Sequence, residues 1–247
     1  MYFNNSELKT FDSVRDYVVR SGIAEKVSLR DPSYGLSKSN DELLVGLVGQ
    51  IAAIGNNTAQ DNVQDDPELR SALTWKRLSS MDDEERHIAI WTVLRAAGSR
   101  YARKDVAHCV PSQKLSASVA AFAKEGSPKA YVAKLAKLPS DVERLNMVRG
   151  IPSLSGGKSP RDFLTTKLGM ARNFIALDIR IMQVLHAIAP SQVRKQATPG
   201  SDDTYNRIEA ALVEQVCPRF GISPAELDQW LFRANKDNRL VKHLQSL

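Results

Sequence analysis

The amino-acid sequence predicts an all-α fold, and three observations support this prediction. Apolar residues recur at helical spacing in most segments, while the alternating β-branched runs that are typical of strands are too few to suggest much sheet. Helix starts are marked by capping patterns, and helix ends are marked by glycine or proline. With 247 residues, the chain can bury a proper core, either as one large domain or as two lobes that share an interface.

The first helix is predicted from apolar residues between positions 7 and 30, and Gly22 closes it. Asp41 is a candidate cap for the next helix, whose run from Leu43 to Ile54 is apolar nearly all round, as expected of a buried central helix. We expect a polar loop at residues 55–60 to follow it. Gln50 is a polar residue within this helix and needs a partner, so it either lines a pocket or bonds a neighbouring carbonyl.

The middle of the chain is also predicted to be helical. Helices are expected from Asp65 through Leu78, from Met81 to about Gly98, around 117–123 and 131–138, and from Ser140 towards residue 148.

The last third begins with a very apolar helix that ends before Pro190. Residues 191–203 are the most polar and least patterned stretch, and we predict a loop there. A core helix with apolar positions from Ile208 to Phe220 follows. Ser223 and Glu226 then form a capping-box pattern, which predicts the start of a C-terminal helix.

A glycine-containing turn followed by a helix is the motif around which the chain is organised. Ser155, Gly156 and Gly157 predict a tight turn that lets backbone approach a ligand closely, and Lys158 follows at once. A turn whose N–H groups open onto a helix N-terminus is suited to bind an anion. Twenty residues later, Asp178 lies between apolar neighbours. A carboxylate there is costly unless it has a partner or a function.

Composition narrows the class of protein further. The net charge of +6 and the pI near 9.3 favour a polyanionic partner. Two cysteines and four scattered histidines show no paired metal-ligand spacing, so we expect neither a metal site nor another cofactor. No apolar run reaches membrane-spanning length and no signal-peptide pattern begins the chain, so we expect a cytoplasmic, nucleoid-associated monomer without membrane contact.

These motifs resemble those of the helix-hairpin-helix DNA glycosylases, and most closely the archaeal-type 8-oxoguanine DNA glycosylase/AP lyases. Three patches occur in the family's order. The first is the segment Gly98-Ser-Arg-Tyr-Ala-Arg-Lys104. The second is the hairpin Gly156-Gly-Lys158 with Phe163-Leu164 and the apolar-Asp segment 176–182. The third is the pattern Ser-x-Ala-Glu-Leu-Asp at 223–228, which aromatic residues follow.

The resemblance implies a two-lobed, all-α glycosylase fold with a cleft between the lobes. The whole chain, 1–247, would form a single glycosylase-like unit, with the helix-hairpin-helix and the aspartate segment at 145–182 and with the N- and C-terminal helices forming the other lobe. The implied partner is double-stranded DNA that contains a damaged or modified base. The implied activity is excision of an oxidised purine, with 8-oxoguanine as the expected base, followed by AP-lyase cleavage of the DNA strand in base excision repair.

The resemblance also implies roles for individual residues. Lys158 would be the nucleophile and Asp178 the catalytic aspartate. The implied DNA contacts are Ser155, Gly156, Gly157, Asn56, Asn57, Arg100 and Lys104. The implied base-pocket residues are Gln50, Asp228, Trp230 and Phe232.

Structural alternatives remain open for each of these residues. Lys158 could be a structural lysine of a hairpin that contacts phosphate, and Asp178 could be a helix cap. The Asn-rich segment could be a plain helix terminus, and Trp230 could be part of an aromatic core stripe. An alternative function is a non-catalytic DNA-binding protein on the same fold that recognises modified or foreign DNA, for example in anti-phage defence. A protein-binding helical scaffold is a third alternative.

Two departures from the family pattern stand out. Leu154 occupies the position of the hairpin's first glycine, and the chain continues past the last helix, from Asn235 to Leu247, where the archaeal enzymes end near a lysine that reads the oxidised base.

Overall fold

The computed structural model describes residues 1–53, 57–103 and 105–246. The α-helices in chain order are α1 Asn5–Arg20, α2 Ser33–Ser37, α3 Asn40–Ala52, α4 Asn57–Asp65, α5 Pro67–Ala72, α6 Trp75–Ser80, α7 Asp83–Ala96, α8 Val110–Lys124, α9 Pro128–Ala136, α10 Asp141–Arg149, α11 Lys158–Asp162, α12 Ile179–Ile188, α13 Asp202–Ala211, α14 Cys217–Phe220, α15 Pro224–Ala234 and α16 Arg239–Leu244. Short 3₁₀ turns lie between several of them, and π-helical turns at Phe163–Lys167 and Leu212–Val216 extend α11 and α13.

The predicted all-α class is confirmed, because no residue that the structure describes lies in a strand. The chain divides into two compact units. The terminal unit comprises Met1–Asp31 and Ala171–Leu247, and the central unit comprises Pro32–Met170. The boundary falls within the predicted segment 145–182, so that Lys158 belongs to the central unit and Asp178 to the terminal unit. The organisation of all 247 residues as one glycosylase-like unit stays a prediction.

The central unit is built on α3, as its all-round apolar sequence predicts. Leu44, Leu47 and Val48 of this helix are almost fully buried. Its cap is Ser39, which exchanges hydrogen bonds with Glu42 in a capping box, rather than Asp41 as the sequence suggested. The Asp41 carboxylate instead accepts a hydrogen bond from the Trp75 N–H at 2.6 Å and so joins α3 to the start of α6.

The prediction of a polar loop at residues 55–60 is wrong for residues 57–60. Residues 57–60 already belong to α4, which packs against α3. The reason is that Ala59 and Val63, four residues apart on one helical face, are both fully buried. Positions 54–56, including Asn56, lie outside the described residues, as does Lys104.

The terminal unit joins the two ends of the chain around one hydrophobic core. Phe11, Val14 and Val18 of α1 are fully buried together with apolar residues of α12, α13 and α15. The loop predicted at residues 191–203 is confirmed for residues 191–201, whereas residues 202 and 203 already belong to α13. The capping box of Ser223 and Glu226 opens α15, as predicted. Within the described residues, no helix has the length and apolarity needed to cross a membrane.

Candidate active site

The hairpin of the central unit connects α10 to α11. After α10 ends at Arg149, a 3₁₀ turn spans Pro152–Leu154, and residues 155–157 lead into α11. Leu154, which replaces the family's first hairpin glycine, is fully buried in the central unit. The apolar side chain therefore anchors the start of the turn, whereas Ser155 and Gly156 remain exposed.

Gly156 is not needed for an unusual backbone angle, since it is absent from the glycines with positive φ. A Cβ atom added at Gly156 would meet no heavy atom within 4 Å. Because neither strain nor crowding requires a glycine here, its effect is to leave the exposed backbone of the turn uncovered. This is the arrangement expected where backbone N–H groups meet an external ligand.

Two side chains from distant parts of the central unit hold the hairpin. The Ser118 hydroxyl of α8 accepts a hydrogen bond from the Ser153 N–H at 3.0 Å and lies 2.9 Å from the Ser153 hydroxyl, and Ser118 is fully buried. On the other side, the Gln50 amide donates to the Ser159 carbonyl at 2.9 Å. The turn that precedes Lys158 is thus fixed at one end by buried hydrogen bonds and at the other end by a partly buried one.

Lys158 is the first residue of α11 and is partly buried. The helix continues through the π-helical turn Phe163–Lys167 and ends before Gly169, whose φ of +69° is left-handed, as the sequence predicts for a helix stop. Within α11, the guanidinium of Arg161 is almost fully buried and donates to the Gly157 carbonyl at 2.8 Å. Arg161 therefore stiffens the backbone on either side of Lys158.

The two polar atoms of the Gln50 side chain differ in their hydrogen bonding. Its side chain is 8% exposed. The amide nitrogen is bonded to Ser159, but the Oε1 atom has no hydrogen-bond partner among the residues that the structure describes. Both sequence alternatives for Gln50 are thus compatible with its position, since it bonds a carbonyl and also offers an unpaired acceptor. A buried acceptor without a partner is costly in the free protein, and such groups are often kept for function.

Asp178 lies in the terminal unit and caps α12. Its Oδ1 atom accepts hydrogen bonds from the N–H groups of Arg180 and Ile181, both at 3.0 Å, and the residue is 7% exposed. The helix-cap alternative is therefore correct as a description of its contacts. A cap of this kind also fixes the orientation of the carboxylate, so the two roles are compatible.

The aromatic pocket candidates of α15 differ in their surroundings. Trp230 is buried in the core of the terminal unit, where its ring stacks on Phe220 with centroids 6.3 Å apart. This is the position that the core-stripe alternative describes. Phe232 is only partly buried, and the Arg180 guanidinium lies 4.2 Å from its ring centroid. Phe232 thereby contacts the helix that Asp178 caps.

Asp228, the third pocket candidate of α15, is 6% exposed. Its Oδ1 atom accepts a hydrogen bond from the Ala176 N–H at 2.8 Å, and its Oδ2 atom accepts one from Gln229 at 3.3 Å. Asp228 thus bonds the backbone two residues before Asp178.

Two candidate DNA contacts outside the hairpin lie at exposed positions. Asn57 is exposed at the first turn of α4, and Arg100 is exposed on the 3₁₀ turn Arg100–Arg103. Their roles in binding stay predictions.

Sequence reasoning missed two polar residues that contact the aspartate segment. Tyr205 and Glu209, both buried, lie one helical turn apart on α13 and bond the backbone before Asp178. A signal was present, because a tyrosine and a glutamate flank Ile208 on the face that the apolar pattern assigns to the core.

The cysteines and the potential metal ligands offer little further chemistry among the described residues. Both cysteines are buried, and burial raises the pKa of Cys217 to about 12, so its thiol stays protonated at neutral pH. Among the described side chains, no group of three His, Cys, Asp or Glu residues is placed to hold a metal ion.

Comparison with solved structures bears on the fold. The 8-oxoguanine DNA glycosylase of Thermotoga maritima is 18% identical to this chain, and the match covers 93% of this chain and 95% of that one with a TM-score of 0.58. The 8-oxoguanine DNA glycosylase of Methanocaldococcus jannaschii is 16% identical, with 94% of each chain covered and a TM-score of 0.61. The chain has the fold of these two glycosylases.

This likeness confirms the fold that the sequence resemblance implies. No protein-family model matches the chain, and no curated protein matches it by sequence. The likeness extends over both ends of the chain as well as its middle, because more than nine-tenths of each protein is covered.

Proposed function

We propose that this protein is a DNA glycosylase with AP-lyase activity that acts in base excision repair. Its proposed substrate is an oxidised purine, and 8-oxoguanine is the expected base. The observation that carries the proposal is the fold, shared over more than nine-tenths of each chain with two 8-oxoguanine DNA glycosylases. The hairpin with Lys158 and the buried Asp178 are the residues of this chain that fit such chemistry.

A base that is stacked in a duplex cannot be attacked at its glycosidic bond, so the nucleotide is first extruded from the helix. The uncovered backbone at Gly156 and the basic side chain of Arg100 would grip phosphates and set the register without reading sequence. Asn57 would contact the duplex near the extruded nucleotide. The chain's net charge of +6 predicts that this binding weakens as salt rises.

Lys158 would then act as the nucleophile. Its neutral amine attacks C1′ of the sugar, and the glycosidic electron pair leaves with the base, which takes up a proton. The bound nitrogen then loses one proton, and the C1′–O4′ bond breaks while O4′ takes up a proton, which leaves a protonated Schiff base between Lys158 and C1′. Removal of a proton from C2′ then expels the 3′ phosphate by β-elimination and cleaves the strand. Asp178 would stabilise the positive charge that develops on the sugar and assist proton transfer.

Recognition of the base is proposed for Gln50, Asp228 and Phe232. The unpaired Oε1 atom of Gln50 is suited to accept an N–H from a base edge, and Phe232 offers a ring for stacking. Trp230 would contribute to the core rather than touch the base, since it is 9% exposed and stacked on Phe220.

Borohydride trapping tests the proposal. We expect wild-type protein to form a reducible crosslink with a labelled duplex that carries one 8-oxoguanine, and Lys158→Gln to lose it because the amine is gone. Lys167→Gln, which changes a lysine on the same helix, is the matched control and should still be trapped.

The outcomes separate the alternatives. A crosslink on an abasic site but not on 8-oxoguanine would keep the lysine chemistry and reject the base. Intact DNA binding with no crosslink on either duplex would contradict the enzyme and indicate the non-catalytic DNA-binding alternative.

A further inference from the structure

The segment that leads to Asp178 is a non-helical piece of backbone inside a helical protein. Residues 174–178 contain no helix, and Ile175 and Leu177 are fully buried. Backbone N–H groups in such a segment have neither a helical partner nor a neighbouring strand, and burying an N–H group without a partner is destabilising. Side chains must therefore supply the missing hydrogen bonds.

Three different side chains bond three consecutive N–H groups of this segment. Glu209 Oε1 accepts from Ile175 at 2.9 Å, Asp228 Oδ1 accepts from Ala176 at 2.8 Å, and the Tyr205 hydroxyl accepts from Leu177 at 2.8 Å. The next residue along the chain is Asp178.

Tyr205 makes a second contact that closes the arrangement. Its hydroxyl donates to the Ile175 carbonyl at 2.8 Å while it accepts from the Leu177 N–H. These two backbone groups also contact one another at 3.1 Å, so a single hydroxyl holds a three-residue turn closed. Tyr205 and Glu209 lie one turn apart on α13 and therefore hold the segment as a rigid pair.

We propose that Tyr205 and Glu209 are positioning residues for Asp178, a role that rests on the glycosylase activity proposed above. They set the backbone that enters the Asp178 cap, and the cap sets the direction of the carboxylate. An acid that stabilises charge on a sugar has to be held to within a fraction of an ångström, and small displacements reduce rates by large factors. Asp228 completes the support from α15.

The test is Tyr205→Phe, which removes only the hydroxyl. We expect single-turnover base excision to slow by about ten- to a hundredfold, while affinity for the damaged duplex stays within about twofold. Glu209→Gln retains an acceptor for the Ile175 N–H and should keep most of the activity. Tyr131→Phe is the matched control, because Tyr131 is also 3% exposed and bonds one backbone carbonyl, that of Met147, in the central unit.

A double-mutant cycle separates positioning from general stability. In an Asp178→Asn background, where the amide can still cap α12, the further change Tyr205→Phe should alter excision by less than about twofold, because the group that it positions is already disabled. Equal slowing in both backgrounds, or equal slowing by Tyr131→Phe, would overturn the proposal.

Amide hydrogen exchange gives a readout that does not depend on activity. Tyr205→Phe should raise exchange at residues 175–177 and at the capped N–H groups of Arg180 and Ile181, whereas Tyr131→Phe should not. If wild-type protein excises no base, the proposed function fails and the exchange pattern alone decides the positioning role. Unchanged exchange in Tyr205→Phe would overturn that role whatever the activity.

Discussion

Replacement of Gln50 by leucine should separate stability from activity. The two side chains are similar in size, and Gln50 is 8% exposed within the apolar helix α3. The substitution removes one hydrogen bond, from the Gln50 amide to the Ser159 carbonyl, and it also removes an Oε1 atom that has no partner among the described residues.

The magnitude follows from those two contributions. A buried polar atom without a partner costs about 1–3 kcal/mol, and a typical intramolecular hydrogen bond contributes about 0.5–1.5 kcal/mol. Ser159 is partly exposed, so water can replace the lost donor. The free energy of unfolding of Gln50→Leu should therefore lie between about 0.5 kcal/mol below the wild-type value and about 2.5 kcal/mol above it, which corresponds to a Tm that ranges from slightly lower to several degrees higher.

Activity should move in the opposite direction. If Oε1 accepts an N–H from the extruded base, loss of that contact removes about 1–3 kcal/mol of binding in the transition state, or roughly five- to 150-fold in kcat/KM. Thermal unfolding and single-turnover excision on an 8-oxoguanine duplex measure the two quantities.

Tyr131→Phe is the comparison, because it removes a buried hydrogen bond between two satisfied groups, the Tyr131 hydroxyl and the Met147 carbonyl at 2.9 Å. It should lower the free energy of unfolding by about 1 kcal/mol and leave excision unchanged. A fall in Tm of more than about 4 °C in Gln50→Leu would refute the stability reasoning, and wild-type excision in that variant would refute the role in base recognition.

Two further predictions concern the hairpin and the acid stability of α3. Gly156→Ala should leave Tm unchanged, because the added Cβ meets open space, but it should weaken duplex binding in a fluorescence titration. Gly46→Ala, whose Cβ also meets open space, is the control and should leave binding unchanged. Equal binding by both variants would contradict a backbone contact at Gly156. The hydrogen bond from Lys38 holds the pKa of Glu42 at about 2, below its ordinary value of 4.5, so this carboxylate stabilises the folded state above pH 4.5 and loses that contribution as pH falls towards 2. In thermal unfolding, Glu42→Gln should therefore lose less stability between those two pH values than the wild type does. The difference should be less than about 1 kcal/mol because the Lys38–Glu42 pair is partly exposed to solvent, and an unchanged acid profile would contradict the assignment.

Much of the fold could be predicted because its signals are local. Helix α3 follows from a run of apolar residues, α15 from the Ser223 capping box, and the end of the helix after Lys158 from Gly169. Where local signals competed, the prediction was less accurate. Asn57 belongs to a helix rather than to the predicted loop 55–60, because Ala59 and Val63 bury one face of α4. The polar composition of the segment gave no sign of this packing.

The candidate site was predictable in the parts that depend on residue type and order. The sequence shows a lysine directly after a glycine turn and an aspartate within an apolar segment. Both stand out because ionisable residues are rare in such surroundings. The roles of Asp228 and Trp230 were harder to predict, since one residue bonds the Ala176 backbone and the other stacks in the core. Sequence spacing along α15 places both residues on a helix but does not show what either one touches.

The sequence by itself determined that the chain is helical, that Lys158 begins a helix after a turn, and that Asp178 stands at a helix start, because propensity, capping and turn chemistry act over a few residues. Only the tertiary structure decided which side chains satisfy the buried backbone around those two residues. Ser118 reaches Ser153 across 35 positions, and Glu209 reaches Ile175 across 34. The physical reason is that a buried N–H must find an acceptor, but packing between helices, which no local pattern encodes, determines which acceptor it finds.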